Sequence, residues 1–95
     1  MSITFDVAKS MVEEELTKVS NENGEECIIA SIKEYSDKGW AFSYNTKNFL
    51  IDKKLAHALA GNIPIFVSKS GDLNYVSVQD SKNQGDYKIL YEINN

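Results

Sequence analysis

The alternation of aromatic and small residues near the middle of the chain is the feature that most constrains its fold. Trp40, Phe42 and Tyr44 are separated by single small residues, and side chains two apart on a strand point to the same face of a sheet. A β-branched run from Glu26 to Tyr35 precedes them, and a turn through Gly39 joins the two segments. The sequence therefore predicts an antiparallel hairpin with its aromatic side chains on one face.

The N-terminal segment from Thr4 to Ser20 has the period of an amphipathic helix. Thr4 or Asp6 would serve as its N-cap, and the polar residues up to Gly24 are typical of a helix stop. We expect this helix to cover one face of the sheet. Its apolar stripe, with steps of three and four, consists of Phe5, Ala8, Val12, Leu16 and Val19.

The second half of the chain predicts a short helix and a second hairpin. Gly61 follows a run of strong helix formers, at a position where helices usually stop. Pro64 restricts Ile63 to an extended conformation and fits the first position of a strand. The predicted elements are a helix over Leu55–Ala60, a strand over Ile65–Val67, a turn at Ser70–Asp72 and a returning strand over Leu73–Val78.

Two segments allow alternatives. Phe49–Ile51 either extends the second strand or leads into the next short element. After a polar loop from Gln79 to Gly85, the tail from Tyr87 to Ile93 suits either a helix or an alternating strand.

The order of elements predicts an α+β fold, with the N-terminal helix packed on a four-stranded antiparallel sheet. A length of 95 residues predicts one domain over residues 1–95.

The charge of the chain is unevenly distributed. The net charge is −4, and residues 1–48 hold nine acidic residues and five lysines, whereas the remainder holds five of each. Arginine, the side chain best suited to bidentate contacts with phosphate or guanine, is absent from the sequence. Direct binding of nucleic acid is therefore disfavoured, whereas a basic protein partner is favoured.

No signal peptide and no membrane-spanning segment is visible in the sequence. The first residues lack a basic stretch followed by an apolar run, and no window approaches the ~20 apolar residues of a membrane span. Cys27 is the single cysteine, so an intramolecular disulfide cannot form. We expect a cytoplasmic protein that does not bind membranes.

The residue types that usually carry catalysis are sparse. His57 lies between alanines without a second histidine in the chain, and Cys27 lies in a β-branched run typical of buried strands. Adjacent carboxylates in the run Glu13–Glu15 diverge by about 100° on a helix, which excludes a compact ligand set. The sequence predicts no catalytic residue, no metal site and no cofactor.

Three segments in this order and spacing resemble the immunity protein 35 family, also described as the YrhB-type domain. They are Gly39–Asn45, with its Gly-Trp start, the run Leu59–Val67 containing Ala-Gly-Asn-Ile-Pro, and the turn Ser70-Gly71-Asp72. The resemblance implies a role in bacterial polymorphic toxin systems, in which a family member binds its cognate toxin in the producing cell and blocks it. The same domain also occurs as a small stress-linked protein with chaperone-like behaviour.

The leading hypothesis is an immunity protein that inhibits a toxin by occlusion. Acidic residues would steer a basic toxin surface, of the kind found on a nuclease-type domain, and aromatic anchors would supply short-range energy. We expect the chain itself to be a monomer or a small homo-oligomer. A chaperone-like protein would need an exposed apolar patch, and an enzyme would need a polar pocket around His57 or Cys27. The candidate toxin contacts, expected on the helix exterior and adjoining loops, are Glu13, Glu14, Glu22, Glu25, Glu26, Tyr35 and Asp37.

Overall fold

A computed structural model of the chain describes residues 2–59, 62–77, 80 and 85–93. Its strands form one antiparallel sheet in the order β4-β3-β2-β1-β5. The elements are helix α1 (Phe5–Asn23), β1 (Cys27–Tyr35), β2 (Gly39–Thr46), helix α2 (Lys47–Leu50), a 3₁₀ turn (Leu55–His57), β3 (Ile65–Ser68), β4 (Leu73–Tyr75) and β5 (Lys88–Glu92).

The predicted α+β fold is confirmed, but the sheet has five strands and not four. The tail, for which the sequence allowed a helix or a strand, forms β5 and pairs antiparallel with β1. Strand β1 is nine residues long and pairs with β2 along its other edge. Its outer edge therefore exposes backbone N–H and C=O groups that need partners, and β5 supplies them.

Helix α1 begins and ends with conventional caps. The Val7 N–H donates to Oγ1 of Thr4 at 3.3 Å, and Gly24 ends the helix in the left-handed conformation. The helix extends past Ser20, its predicted end, to Asn23. The Ser20 hydroxyl donates to the Leu16 carbonyl at 2.7 Å and accepts a hydrogen bond from the Cys27 N–H at 2.9 Å. Ser20 thereby ties the last turns of α1 to the start of β1.

The main core lies between α1 and the central strands. Trp40, Phe42 and Tyr44 of β2 share one face, as predicted, and they belong to the cluster that contacts the apolar stripe of α1. The Phe5 ring lies 6.1 Å from the Trp40 ring and 6.4 Å from the Phe42 ring, measured between centroids. The buried members of this core are Ala8, Val12, Leu16, Cys27, Ile32, Trp40, Phe42, Tyr44, Ile65 and Val67.

The opposite face of the sheet carries a smaller apolar cluster. Tyr35, Ala41 and Phe66 are buried there, and Val76 packs against them. The Tyr87 ring lies 5.5 Å from the Tyr35 ring. Residues just before β5 thus help to cover the end of β1.

The connection between β2 and β3 differs from the predicted helix over Leu55–Ala60. Phe49 lies in the one-turn helix α2, and a 3₁₀ turn ends at His57. The turn stops there because Ala58 has an extended backbone. Ala60 and Gly61, the predicted helix stop, lie outside the described residues, as do Val78 and most of the predicted loop from Gln79 to Gly85.

Candidate partner-binding surface

Four of the predicted contact residues have free carboxylates. All four are exposed, and within the described part of the chain no hydrogen bond or ion pair involves their side chains. They occupy the outer surface of α1 and the loop that leads into β1: Glu13, Glu14, Glu22 and Glu26. Their full negative charge is thus available to a partner.

The consecutive glutamates of α1 spread across the outer width of the helix. Glu13 lines a groove on the side of β1 and β5. On the other flank, the Glu15 carboxylate accepts a hydrogen bond from the Tyr75 hydroxyl of β4 at 2.7 Å. Glu14 lies between them because each residue advances about 100° around a helix. A partner placed over α1 therefore meets carboxylates from one flank to the other.

Glu25 is engaged within the protein. Its Oε1 accepts a hydrogen bond from the Asn48 amide at 3.0 Å and lies 2.9 Å from Nδ1 of His57. The hydrogen bond from Asn48 and the proximity of His57 lower the pKa of Glu25 below its usual value. No carboxylate lies next to His57 in the sequence. The fold places Glu25 beside it, although the two residues are 32 positions apart. Glu25 therefore holds the turn after α2 against the loop before β1.

Asp37 lies apart from the other acidic candidates. It occupies the turn between β1 and β2, whereas Glu26 directly precedes β1. Nine strand residues at about 3.3 Å each place these two carboxylates roughly 30 Å apart, at opposite ends of the sheet. One small contact area cannot include both.

Tyr35 is buried, so its expected position on an exterior loop is wrong. It is the last residue of β1 and exposes 2% of its surface. Its ring packs between Phe66, at 6.1 Å, and Tyr87, at 5.5 Å. Burial also raises the pKa of its hydroxyl. The role that the structure gives Tyr35 is packing on the far face of the sheet.

A groove of about 770 Å³ runs between α1 and the β1–β5 side of the sheet. Leu90 and Tyr91 of β5 line it and expose 39% and 47% of their surfaces. Glu13 and Glu26 also line it, so two of the free carboxylates border apolar surface. Its full lining is Phe5, Lys9, Glu13, Leu16, Thr17, Ser20, Asn21, Glu26, Cys27, Ile28, Ile29, Ile32, Leu90 and Tyr91. The sequence did not reveal this groove because it exists only where β5 joins β1.

A protein-family model matches most of the chain. The model of the family described as immunity protein 35 matches residues 6–89, from the first turn of α1 into β5. The chain belongs to the immunity protein 35 family. The match confirms the resemblance of the aromatic hairpin and the two turns that follow it. A search of curated proteins and a search of solved structures gave no match.

Membership of the immunity protein 35 family implies a non-catalytic role and a toxin as partner. The chemistry of Cys27 in this family member agrees with that role. The residue is 6% exposed, its Sγ lies 3.7 Å from the Glu25 carbonyl oxygen, and burial raises the pKa of the thiol, which disfavours the reactive thiolate. His57 contacts Glu25 through Nδ1. The structure thus supports no pairing of Cys27 and His57 as nucleophile and base.

Metal-binding clusters and membrane-spanning helices are absent from the described residues. Across residues 2–59, 62–77, 80 and 85–93, no group of three histidine, cysteine, aspartate or glutamate residues is placed to hold a metal ion. No helix in the same ranges combines the length and apolar character needed to cross a membrane. The features that stand out are therefore the free carboxylates and the groove beside them.

Proposed function

We propose that this family member binds a toxin protein in the cytoplasm of the bacterium that makes both, and neutralises it by covering part of its surface. The observation that carries the proposal is the family match over residues 6–89. A binding role needs no reactive centre, and the most prominent polar groups of the described surface are carboxylates without internal partners.

The free carboxylates support electrostatic steering as the first step of recognition. Glu13, Glu14, Glu22 and Glu26 are exposed and have no ion-pair partner among the described residues, so they attract a basic surface without first breaking such a pair. The net charge of −4 adds to this field. Charges at the rim of an interface chiefly raise the association rate, and salt weakens their effect.

A basic nuclease-type toxin domain fits this surface best. Enzymes that act on nucleic acids present lysine and arginine side chains to the phosphate backbone. A surface rich in carboxylates competes for the same basic groups. Occlusion of the substrate-binding surface would then block the toxin without any chemical change to it.

The proposal predicts that a toxin domain is encoded beside the gene of this chain, and that domain is the partner used to test it. Co-expression with that domain should restore growth, and the two purified proteins should form a one-to-one complex by size-exclusion chromatography with light scattering. Failure of the wild-type chain to bind the toxin domain would refute the proposal.

Two matched charge reversals test the role of the acidic surface. The pair E22K/E26K alters the end of the sheet near the α1–β1 loop, whereas D37K/D86K makes the same change in net charge elsewhere. We expect E22K/E26K to slow association about tenfold or more at low salt, and D37K/D86K to slow it much less. Equal effects of the two pairs would reject a localised acidic contact.

The exposure of β5 favours a second candidate function, chaperone-like binding of partly unfolded chains. Ile89, Leu90 and Tyr91 expose between 39% and 51% of their surfaces, on an edge strand. A protein acting in this way should suppress the aggregation of several unrelated heated proteins at near-equimolar ratios. An immunity protein should leave their aggregation unchanged while it inhibits one toxin.

A further inference from the structure

We infer that the groove between α1 and β5 receives an amphipathic helix of the toxin. The apolar stripe of that helix packs on β1 and β5, and a lysine or arginine beside the stripe meets Glu13 and Glu26. This inference rests on the proposed function and adds to it the place of docking and the kind of element that docks.

The width of the sheet leaves room for one more helix. Five strands spaced about 4.8 Å apart separate the outermost strands by roughly 19 Å, whereas a helix with its side chains is about 10 Å wide. Helix α1 packs mainly on β1, β2 and β3. Among the described elements, β5 packs mainly against β1, and no helix covers it to a comparable extent.

The floor of the groove is apolar. Tyr91 pairs with Ile32, whose side chain belongs to the core beneath α1, so both side chains lie on the α1 face of the sheet. Leu90 is the extra residue of β5, because Ile89 and Tyr91 pair with successive residues of β1, and Leu90 also lines the groove. Covering these side chains removes apolar area from water, which stabilises a complex.

The length of the groove fits a helix better than a compact ligand. Its lining residues on α1 extend from Phe5 to Asn21. At a rise of about 1.5 Å per residue this distance is roughly 24 Å, or between four and five turns. A helix of similar length lying beside α1 would contact the whole groove, as in other recognition of helices by apolar grooves.

The charges along the groove select a basic helix. Within the described ranges, Glu13 and Glu26 are exposed and have no internal partner, and Lys9 is the one basic residue in the lining. An apolar stripe flanked by lysine or arginine is complementary to this pattern, whereas one flanked by carboxylates is repelled.

Addition of a partner strand to the edge of β5 is less favourable than a helix in the groove. The pairing of β5 with β1 contains a register shift between Ile32 and Lys33. The strand has only five residues and carries Lys88 and Glu92 at its ends. Bulges, short length and charged residues are the means by which proteins discourage pairing at a sheet edge.

The test uses the toxin domain encoded beside the gene and calorimetric titration of purified variants. Leu90→Asp places a charge in the groove floor, and Leu90→Ser serves if that variant does not fold. The matched control is Ile89→Asp, since Ile89 pairs with Lys33 on the opposite face and is 51% exposed. We expect the Leu90 variants to weaken binding about 30-fold, as at interface hot spots, and Ile89→Asp to weaken it less than about threefold.

A second pair of variants tests the rim. Glu13→Lys should weaken toxin binding about tenfold at low salt, because it opposes the basic flank of the docked helix. Glu92→Lys makes the same charge change on β5, at a residue that pairs with Ser31 and so faces away from α1. We expect Glu92→Lys to bind almost as the wild type does.

A thiol at the exposed position of Leu90 reports occupancy of the groove directly. Leu90 lines the groove and is 39% exposed, so in Leu90→Cys, made in a Cys27→Ser background and saturated with the toxin domain, alkylation should be slower than in the free protein. If the wild type does not bind the toxin domain, both the inference and the proposed function are overturned. If it binds, but the Leu90 and Ile89 variants bind equally well or the thiol of Leu90→Cys is not protected, the groove is refuted and the proposed function stands.

Discussion

Glu25 and His57 join two parts of the chain that the sequence separates widely. Oε1 of Glu25, in the loop before β1, lies 2.9 Å from Nδ1 of His57, in the turn between α2 and β3. Asn48 of α2 donates to the same carboxylate oxygen. Three connecting segments are thereby held together near the C-terminal end of α1, beside the free carboxylates of Glu22 and Glu26.

This contact predicts a specific dependence of stability on pH. The folded protein lowers the pKa of Glu25, mainly through the hydrogen bond from Asn48 and then through His57. The carboxylate therefore stabilises the fold above the unfolded-state pKa of about 4.3, and that stabilisation is lost as the pH falls through the folded-state pKa. Glu25→Gln should lower the free energy of unfolding more at pH 7 than at about pH 3, as measured by urea denaturation. The control is Glu26→Gln, and an equal pH profile for both variants would contradict the prediction.

The close approach of β2 and β3 at Gly39 predicts that one methyl group added there strongly destabilises the fold. A Cβ at Gly39 would lie 2.8 Å from Cα of Ser68 and closer still to the Val67 carbonyl oxygen, so backbone would have to move. Gly39→Ala should therefore destabilise the protein by up to about 3 kcal/mol. The comparison is Gly24→Ala, which has open space but a left-handed backbone and should cost about 1 kcal/mol. Urea titrations that gave the opposite order would disprove the packing argument.

The hydrogen bonds of the Thr46 hydroxyl predict different losses of stability for two substitutions of this residue. This residue is fully buried, and its Oγ1 accepts a hydrogen bond from the Phe49 N–H at 3.2 Å and donates to the His57 carbonyl at 2.7 Å. Thr46→Val keeps the shape but leaves both backbone groups without this partner, at a cost of about 2 kcal/mol. Thr46→Ser keeps the hydroxyl and should cost less. Thermal unfolding of the two variants checks this order, and equal midpoints would show that the hydroxyl contributes nothing.

The burial of Cys27 predicts slow reaction with alkylating reagents. The residue is 6% exposed and the pKa of its thiol is raised, first by desolvation, so the thiolate fraction near neutral pH is small. Iodoacetamide labelling followed by mass spectrometry should be slow in buffer and fast in denaturant. Leu90→Cys in a Cys27→Ser background provides an exposed thiol on the same groove and should react quickly. Rapid labelling of native Cys27 would show that the thiol is accessible.

Local periodicity explains which elements the sequence could predict. Helix α1 and the β1–β2 hairpin each carry a pattern that repeats over several residues, and their apolar faces meet as the patterns require. Pro64 and the turn at Gly71 likewise predict the start of β3 and the hairpin to β4. The helix predicted over Leu55–Ala60 is wrong at Ala58 and Leu59, because its helix formers cover less than two turns and the Leu59 N–H instead donates to Asn45.

The acidic surface was predictable only in part. Glu13, Glu14, Glu22 and Glu26 lie exposed, as expected from a solvated helix face and loop, whereas Glu25 finds its partners 23 and 32 residues later. No local pattern contains that information, because the partners meet only after α2 and the 3₁₀ turn fold back onto the start of β1.

The sequence by itself therefore determined the α+β class, the helix with its caps, the aromatic face of the hairpin and the family. Each of these follows from side chains close together in the chain, whose spacing decides what is buried. Only the tertiary structure decided that the tail is a strand, that Tyr35 is buried and that a groove lies beside α1. The open edge of β1 selects a strand for Lys88–Glu92, and that pairing across more than fifty residues creates both the cover over Tyr35 and the groove floor.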